Sequence, residues 1–216
     1  MDAFTPPPAP GDVSGPWVRL ERLTPARHAA DLWDAVRGHD DLWTYMGMGP
    51  FADRAGFDAW LTQAAAGDDP CFYALCDADT GAAAGVASFL RIDRSHGVIE
   101  IGTILLSPAL QGRRAGSAAL MAMIRWAFDA GYRRVEWKCN ALNAASRRAA
   151  LRFGFTFEGI FRQHMIVKGQ NRDTAWFAII DADWPRIRAA YDAWLAPGNF
   201  DPEGRQKRRL SDLTAP

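Results

Sequence analysis

Residues 102–128 read GTILLSPALQGRRAGSAALMAMIRWAF and join a strand to a helix through a glycine-containing loop. The apolar run at the start ends at Ser107-Pro108, as is typical of a buried strand. A helix is predicted over 115–131, because its apolar residues recur at i, i+3 and i+4. The first turn of such a helix exposes backbone N–H groups and a positive dipole end, so this junction favours an anion such as phosphate.

The residues of the loop indicate which kinds of phosphate-binding site it can form. Arg113 and Arg114 add charged donors beside the helix start. The spacing of a Walker loop is absent, and so is the GxGxxG spacing of a dinucleotide fingerprint. Taken alone, the loop also fits an ordinary strand-to-helix connection.

The flanking elements predict a mixed sheet. Strands are predicted at 18–23, 71–76, 85–93, 97–106, 134–139, 155–167 and 174–180. Helices are predicted at 25–38, 53–67, 115–131, 144–153 and 183–195. This order indicates an α/β (α+β) fold with a mixed, mostly antiparallel twisted sheet and helices on both faces.

The ends of the chain differ in composition from its middle. Residues 1–16 contain five prolines and are predicted to form a disordered arm. Residues 17–196 are predicted to form one domain, and 197–216 a polar tail. The tail carries a basic cluster at 205–209, which fits either a solvated segment or a contact with an acidic partner such as ribosomal RNA.

Net charge, cysteine content and the lengths of the apolar runs argue against several classes of protein. The net charge of zero argues against a non-specific nucleic-acid binder, which usually has an excess of basic residues. The N-terminal sequence lacks the features of a signal peptide, and no apolar run approaches the length of a membrane span, so we expect a cytoplasmic protein without membrane contact. Three widely spaced cysteines fit neither a disulfide framework nor a zinc site, so no metal is expected.

A second motif follows the strand at 134–139. Residues 139–148 read CNALNAASRR, and 151–155 read LRFGF. With these motifs the chain resembles the GNAT superfamily of N-acetyltransferases, and most closely its ribosomal-protein N-terminal acetyltransferase branch. The residues that carry the resemblance are Gln111, Gly116, Asn143, Ser146, Gly154, Phe155, Glu158, Gly159, Arg162 and Asp173.

The resemblance implies a GNAT-like fold that binds acetyl-CoA between strands 102–106 and 134–139. Backbone N–H groups near Leu105 and Leu106 would bind the pantetheine arm and polarise the thioester carbonyl. Asn143 would hydrogen-bond the pantetheine arm. The pyrophosphate would be held by Gln111, Gly112, Arg113, Arg114, Ala115, Gly116 and Ser117.

Arg114 departs from the family pattern, which has a glycine at this position. An arginine in a left-handed backbone would cost about 1–2 kcal/mol. If the residue is already helical, the arginine costs little and adds a partner for phosphate. We expect the helical conformation.

The resemblance also suggests catalytic residues. Glu100 is the first candidate for the base, with Asp173 and Glu158 as weaker candidates; a surface or paired carboxylate is the alternative for Glu100. Ser146 would donate a proton to the leaving thiolate, or it would only cap the helix that follows. His164 is either a base or a hydrogen-bonding group.

The implied activity is the transfer of an acetyl group from acetyl-CoA to a primary amine by direct attack. An α-amine with a pKa of about 7.7–8.0 is far more often neutral at pH 7 than a lysine amine, so a protein N-terminus is one candidate and a small amine the other. Trp33, Trp43 and Trp60 would belong either to the core or to the acceptor cleft. A CoA-binding protein without catalysis and a ribosome-associated interaction protein remain alternatives, and a homodimer is left open.

Overall fold

The computed structural model describes residues 4–78 and 80–215. These residues form eight strands: β1 Ser14–Gly15, β2 Val18–Arg22, β3 Cys71–Asp77, β4 Ala83–Asp93, β5 Val98–Leu106, β6 Arg134–Asn140, β7 Thr156–Val167 and β8 Gln170–Ile180. Six helices accompany them: α1 Pro25–Val36, α2 Arg54–Ala65, α3 Arg114–Asp129, α4 Ala144–Arg152, α5 Trp184–Leu195 and α6 Leu210–Thr214. Short 3-10 helices cover Asp40–Trp43 and Pro197–Asn199. Within the described part of the chain, no helix is long and apolar enough to cross a bilayer.

The eight strands form a single mixed sheet, as the sequence predicts. Five of the strand pairs are antiparallel: β1 with β2, β2 with β3, β3 with β4, β6 with β8, and β7 with β8. β5 and β6 run parallel. The predicted α/β class with a mostly antiparallel sheet is therefore confirmed.

The chain separates into two compact units. The N-terminal unit contains residues 9–92 and 101–123, and the C-terminal unit contains residues 4–8, 93–100 and 124–215. β5 and α3 contribute residues to both units.

The N-terminal unit has an aromatic core. Trp43 is buried in it, and its ring meets the Trp60 ring edge-on with centroids 5.6 Å apart. Trp33 and Trp60 are partly buried against the same core. Trp43 is thus a core residue, and both Trp43 and Trp33 line a small surface pocket together with Arg37 and Phe51.

The C-terminal unit packs aromatic rings around β6 and α5. The Trp137 ring lies 5.6 Å from that of Phe155, and the rings of Phe128 and Trp184 stack at 4.7 Å. Tyr191 is fully buried, and its hydroxyl donates to the carbonyl oxygen of Phe153 at 2.7 Å. These contacts fix α4 and α5 relative to β6, where several of the candidate site residues lie.

The segment predicted as a disordered arm is ordered over residues 4–16. It contains β1, and its carbonyl groups accept three hydrogen bonds from side chains. Arg94 Nε donates to Pro7 at 2.7 Å, the Tyr132 hydroxyl to Pro8 at 2.9 Å, and the Tyr73 hydroxyl to Gly11 at 2.5 Å. Proline-rich composition does not reveal such acceptors, so the sequence alone did not indicate these contacts. Residues 1–3 lie outside the described residues.

The polar tail also carries structure. Leu210 and Thr214 of α6 are buried, and the Thr214 hydroxyl donates to the carbonyl oxygen of Arg152 at 3.1 Å. Pro216, the last residue of the predicted tail, lies outside the described residues. The boundaries at 16/17 and 196/197 stay a prediction.

Candidate active site

The end of β5 in the N-terminal unit is distorted. Thr103 has a φ of 47°, a left-handed value that is rare for a β-branched residue. The carbonyl of the preceding Gly102 accepts a hydrogen bond from the Ser88 hydroxyl at 3.1 Å. Leu105 is 2% exposed, and Leu106 is half-buried. Backbone strain of this kind is typical of functional sites, and here it lies just before the two predicted pantetheine-binding positions.

The loop after β5 is held by its own hydrogen bonds. The Gln111 side chain donates to the carbonyl oxygen of Leu106 at 2.9 Å. The carbonyl oxygen of Ser107 accepts from the N–H groups of Leu110 and Gln111 at 2.9 and 3.0 Å. Gly112 has a φ of +66°, a value that favours glycine. Gln111 therefore shapes the loop through its side chain.

Gly116 is required by close packing. A Cβ atom at this position would lie 2.5 Å from the carbonyl oxygen of Leu110. The first helical hydrogen bond of α3 runs from Ser117 N–H to Arg113 at 3.4 Å. The N–H groups of Ala115 and Gly116 therefore belong to the first turn, where an α-helix has no intrahelical acceptor for them. This arrangement suits an anion.

Arg114 is the first residue of α3, and its backbone φ is not positive. The expected helical backbone is confirmed, so the arginine carries no left-handed strain. Its guanidinium carbon lies 3.4 Å from the centre of the Trp17 ring. Trp17 is 38% exposed, and its contact with Arg114 places it beside this loop region. Arg113 is exposed.

The parallel ladder of β5 and β6 is short. It joins 98–100 to 134–136, whereas β5 continues to Leu106 and β6 to Asn140. Glu100 lies at the last rung and is 2% exposed. Its Oε2 atom is 3.3 Å from Lys138 Nζ, which lies 5.5 Å from the centre of the Trp176 ring. Glu100 is therefore a buried, paired carboxylate, as its alternative interpretation anticipated, and its role as a base is untested.

The weaker base candidates have structural partners. Glu158 accepts two hydrogen bonds from the Arg134 guanidinium at 2.8 and 2.6 Å, and this pairing lowers its pKa. Asp173 accepts from the Gln163 N–H at 2.7 Å, and this bond lowers the pKa of the carboxyl. Gln163 has a φ of 51°, so Asp173 supports an irregular point in β7. His164 Nδ1 lies 2.9 Å from the Thr174 hydroxyl.

Asn143 caps the N-terminus of α4. Its Oδ1 atom accepts from the Ser146 N–H at 3.0 Å. The alternative in which Ser146 is the helix cap is therefore wrong, because the asparagine three residues earlier already supplies the acceptor. The Ser146 Oγ atom instead accepts from the Trp137 indole N–H at 3.0 Å. This leaves the hydroxyl proton able to point elsewhere.

Cys139 lies next to Ser146. Burial raises the pKa of its thiol, while a hydrogen bond with Ser146 opposes that rise. Because the thiol stays protonated, Cys139 is not suited to act as a nucleophile at neutral pH.

Three of the four tyrosines have hydroxyl groups that donate to backbone carbonyls. They are Tyr73, Tyr132 and Tyr191. All three are buried. They are therefore poor candidates for the proton donor to a leaving thiolate.

A cluster of possible metal ligands occurs in the N-terminal unit. Ligand atoms of Glu21, His28 and Cys76 lie within 4.8 Å of one another. His28 Nδ1 accepts from the Thr24 N–H at 3.1 Å, and its Nε2 lies 3.0 Å from Glu21 Oε2. Burial raises the pKa of Cys76 to about 11. The two contacts of His28 link α1 to β2 and account for this geometry.

Comparison with known proteins identifies the relatives of this chain. A family model described as an acetyltransferase (GNAT) domain matches residues 18–156. A curated relative, the ribosomal-protein-serine acetyltransferase of Escherichia coli strain K12, is 37% identical over 100 residues, which are 45% of this chain and 55% of the relative. The chain therefore matches little more than half the length of this relative.

Two solved structures are similar over a larger share of the chain. A GCN5-related N-acetyltransferase from Brucella melitensis is 46% identical, with a TM-score of 0.95 and coverage of 98% of both chains. A protein from Chromobacterium violaceum ATCC 12472, described as a probable GNAT-family acetyltransferase, is 38% identical, with a TM-score of 0.82 and coverage of 86% of this chain and 94% of that one. From the sequence motifs, the fold and these matches together, we conclude that the chain belongs to the GNAT acetyltransferase family.

Proposed function

We propose that this protein transfers the acetyl group of acetyl-CoA to a primary amine in the cytoplasm. An α-amine is the preferred acceptor class, because it is neutral at pH 7 far more often than a lysine amine. The curated relative supports a protein N-terminus as one acceptor, since it is a ribosomal-protein-serine acetyltransferase. A small molecule with a primary amine is the other candidate acceptor.

One observation carries this proposal: the family match covers residues 18–156. That range includes the strained end of β5, the loop before α3, Glu100 and Ser146. Acetyl-CoA is the co-substrate of GNAT acetyltransferases, and the first turn of α3 with Arg113 and Arg114 supplies the donors that a pyrophosphate requires.

The proposed reaction is a single displacement, in which each residue has the role that the family resemblance implies. Glu100 removes a proton from the ammonium group, and the neutral nitrogen attacks the thioester carbonyl carbon. Backbone N–H groups near Leu105 and Leu106 stabilise the oxyanion that forms. The carbon–sulfur bond then breaks, and CoA leaves as a thiolate that accepts a hydrogen bond from the Ser146 hydroxyl. The attacking nitrogen loses its second proton to solvent, which leaves a neutral amide.

A thiol-release assay tests the proposal. Acetyl-CoA is mixed with the protein and a panel of protein N-terminal peptides, amino acids, polyamines and lysine analogues, and free CoA is measured with a thiol reagent. We expect turnover with α-amines in preference to lysine analogues. Tight binding of acetyl-CoA without turnover on any amine would instead support a CoA-binding protein that lacks catalysis.

Replacing Ser146 with alanine should lower kcat by roughly 10- to 150-fold and leave the KM for acetyl-CoA within about twofold. A hydrogen bond to a charged group contributes about 1.5–3 kcal/mol, and this one forms only as the thiolate develops. Steady-state kinetics with varied acetyl-CoA measures both constants. Trp137→Phe is the matched control, because it removes the indole donor and keeps the serine hydroxyl. Equal kcat values for wild type and Ser146→Ala would exclude the role.

A further inference from the structure

One face of the C-terminal unit combines opposite charges with aromatic rings. Lys138 on β6 is paired with Trp176 on β8 in the strand register, and Asn140 is paired with Thr174. Because side chains alternate along a strand, Arg172 shares this face with Thr174 and Trp176. Phe161 of β7, which is 54% exposed, has its ring centre 5.0 Å from that of Trp176. We call this set the acceptor face.

Arg172 is unusual among the charged residues of this face. Its Nε–H group is buried and has no hydrogen-bond acceptor anywhere in residues 4–78 and 80–215. Burial lowers the pKa of this guanidinium, and the Glu100 carboxylate is near enough to oppose that effect by attraction. Glu100 is already paired with Lys138 at 3.3 Å. A buried donor without an acceptor is rare in native proteins, and a bound ion is one of the partners that account for such a donor.

The cations of this face differ in their partners. Lys138 is paired with Glu100, and Arg134 is paired with Glu136. Within the described residues, Arg172 forms no salt bridge, and its Nε–H has no acceptor. A desolvated positive charge without an equal counter-charge is costly, so an anion that binds here would be stabilised. A guanidinium presents a planar set of donors that matches the two oxygens of a carboxylate.

We propose that Arg172 binds a carboxylate of the acceptor, so that the acceptor is a free α-amino acid or a similarly small amino acid. This inference rests on the proposed function, since it assigns the acceptor class of the same reaction. A zwitterion carries its ammonium and carboxylate groups close together, and the neighbouring Glu100 and Arg172 offer the opposite charges. The N-terminus of a protein presents only a neutral amide at the corresponding place.

Matched acceptor pairs test this assignment. A set of L-amino acids, including phenylalanine because of the rings of Phe161 and Trp176, is compared with the corresponding amino acid amides and with tetrapeptides that begin with the same residue. We expect kcat/KM for the best acid to exceed that for its amide at least tenfold, although the amide has the less basic and chemically favoured amine. Equal or higher values for amides or peptides would overturn the assignment.

Variants of Arg172 test whether this side chain causes the preference for acids over amides. Arg172→Gln should abolish the preference for acids, and Arg172→Lys should retain part of it. Arg133→Gln is the control, because Arg133 is exposed and precedes the opposite end of β6. Thermal melting verifies that each variant is folded. An unchanged ratio between acid and amide in Arg172→Gln would exclude Arg172 as the carboxylate ligand.

A binding measurement separates this inference from the proposed activity. Calorimetry with N-acetyl-L-phenylalanine, a product analogue, and with its amide requires no turnover. Binding of the acid that is lost in Arg172→Gln supports the assignment even if no amine is acetylated, in which case only the catalytic proposal fails. Turnover of amides as fast as acids, with no binding of the acid, overturns the assignment and leaves the activity intact.

Discussion

Glu100→Gln is expected to lower kcat/KM at pH 7 by a factor of roughly 10²–10⁴, the usual contribution of a general base. The deficit should shrink as the pH rises, because the fraction of amine that is already neutral increases. A pH series of kcat/KM for wild type and variant measures this convergence. A variant that is as active as wild type at pH 7 would leave Glu100 with a purely structural role.

The same substitution should also destabilise the protein. Lys138 would lose a carboxylate partner 3.3 Å away, and its side chain is only 15% exposed. Removing one member of a buried pair costs about 3 kcal/mol. Urea unfolding of Glu100→Gln, Lys138→Met and the double variant forms a thermodynamic cycle. The double variant should recover most of the lost stability but not the activity, which separates the two roles of Glu100.

Gly116→Ala is expected to raise the KM for acetyl-CoA at least tenfold and to lower the stability by about 1–3 kcal/mol, the usual cost of overpacking. The added methyl group would meet the backbone carbonyl of Leu110 at 2.5 Å, so the loop itself must move. Displacing the loop shifts the N–H groups of the first turn of α3 away from their anion.

Gly67→Ala is the matched control for this substitution. Gly67 lies in the same unit, and an added Cβ there would have no neighbour within 4 Å. Calorimetric titration with CoA and thermal melting measure both effects. If Gly116→Ala binds CoA as tightly as wild type does, the loop is not part of the CoA site.

Local patterns in the sequence predict most of the regular structure. The helix predicted at 115–131 is α3, Arg114–Asp129, and the strand predicted at 134–139 is β6, Arg134–Asn140. Periodicity and capping residues act over a few positions, so a single sequence reveals them. β1 and α6 were not predicted, because two and five residues carry too short a pattern.

The site could be predicted only where a motif describes it. Recognisable motifs include Gln111, Gly116, Asn143 and Ser146. The motifs do not show which distant groups these side chains contact. The contact of Ser146 with Trp137 depends on how β6 packs against α4, whereas the Asn143 cap is a local hydrogen bond three residues along the chain. The stacking of Arg114 on Trp17 joins positions 97 residues apart and has no local signal.

Arg172 shows the same limit most clearly. The sequence around it, QNRDTAW, reads as the start of a strand. Its significance arises from a buried Nε–H without an acceptor, which is a property of the folded chain. A single sequence contains no record of which donors remain unsatisfied, so this residue was missed.

The hydrogen bonds that hold the N-terminal segment also set the free energy that is needed to release it from the folded protein. The hydroxyl groups of Tyr73 and Tyr132 would each lose an acceptor if residues 4–12 detached, at about 1–3 kcal/mol for each donor left unsatisfied. A protease recognition sequence placed within this segment would therefore be cut only while the segment is released. With fast reclosing, the rate of cleavage then reports the free energy of that local release rather than of global unfolding.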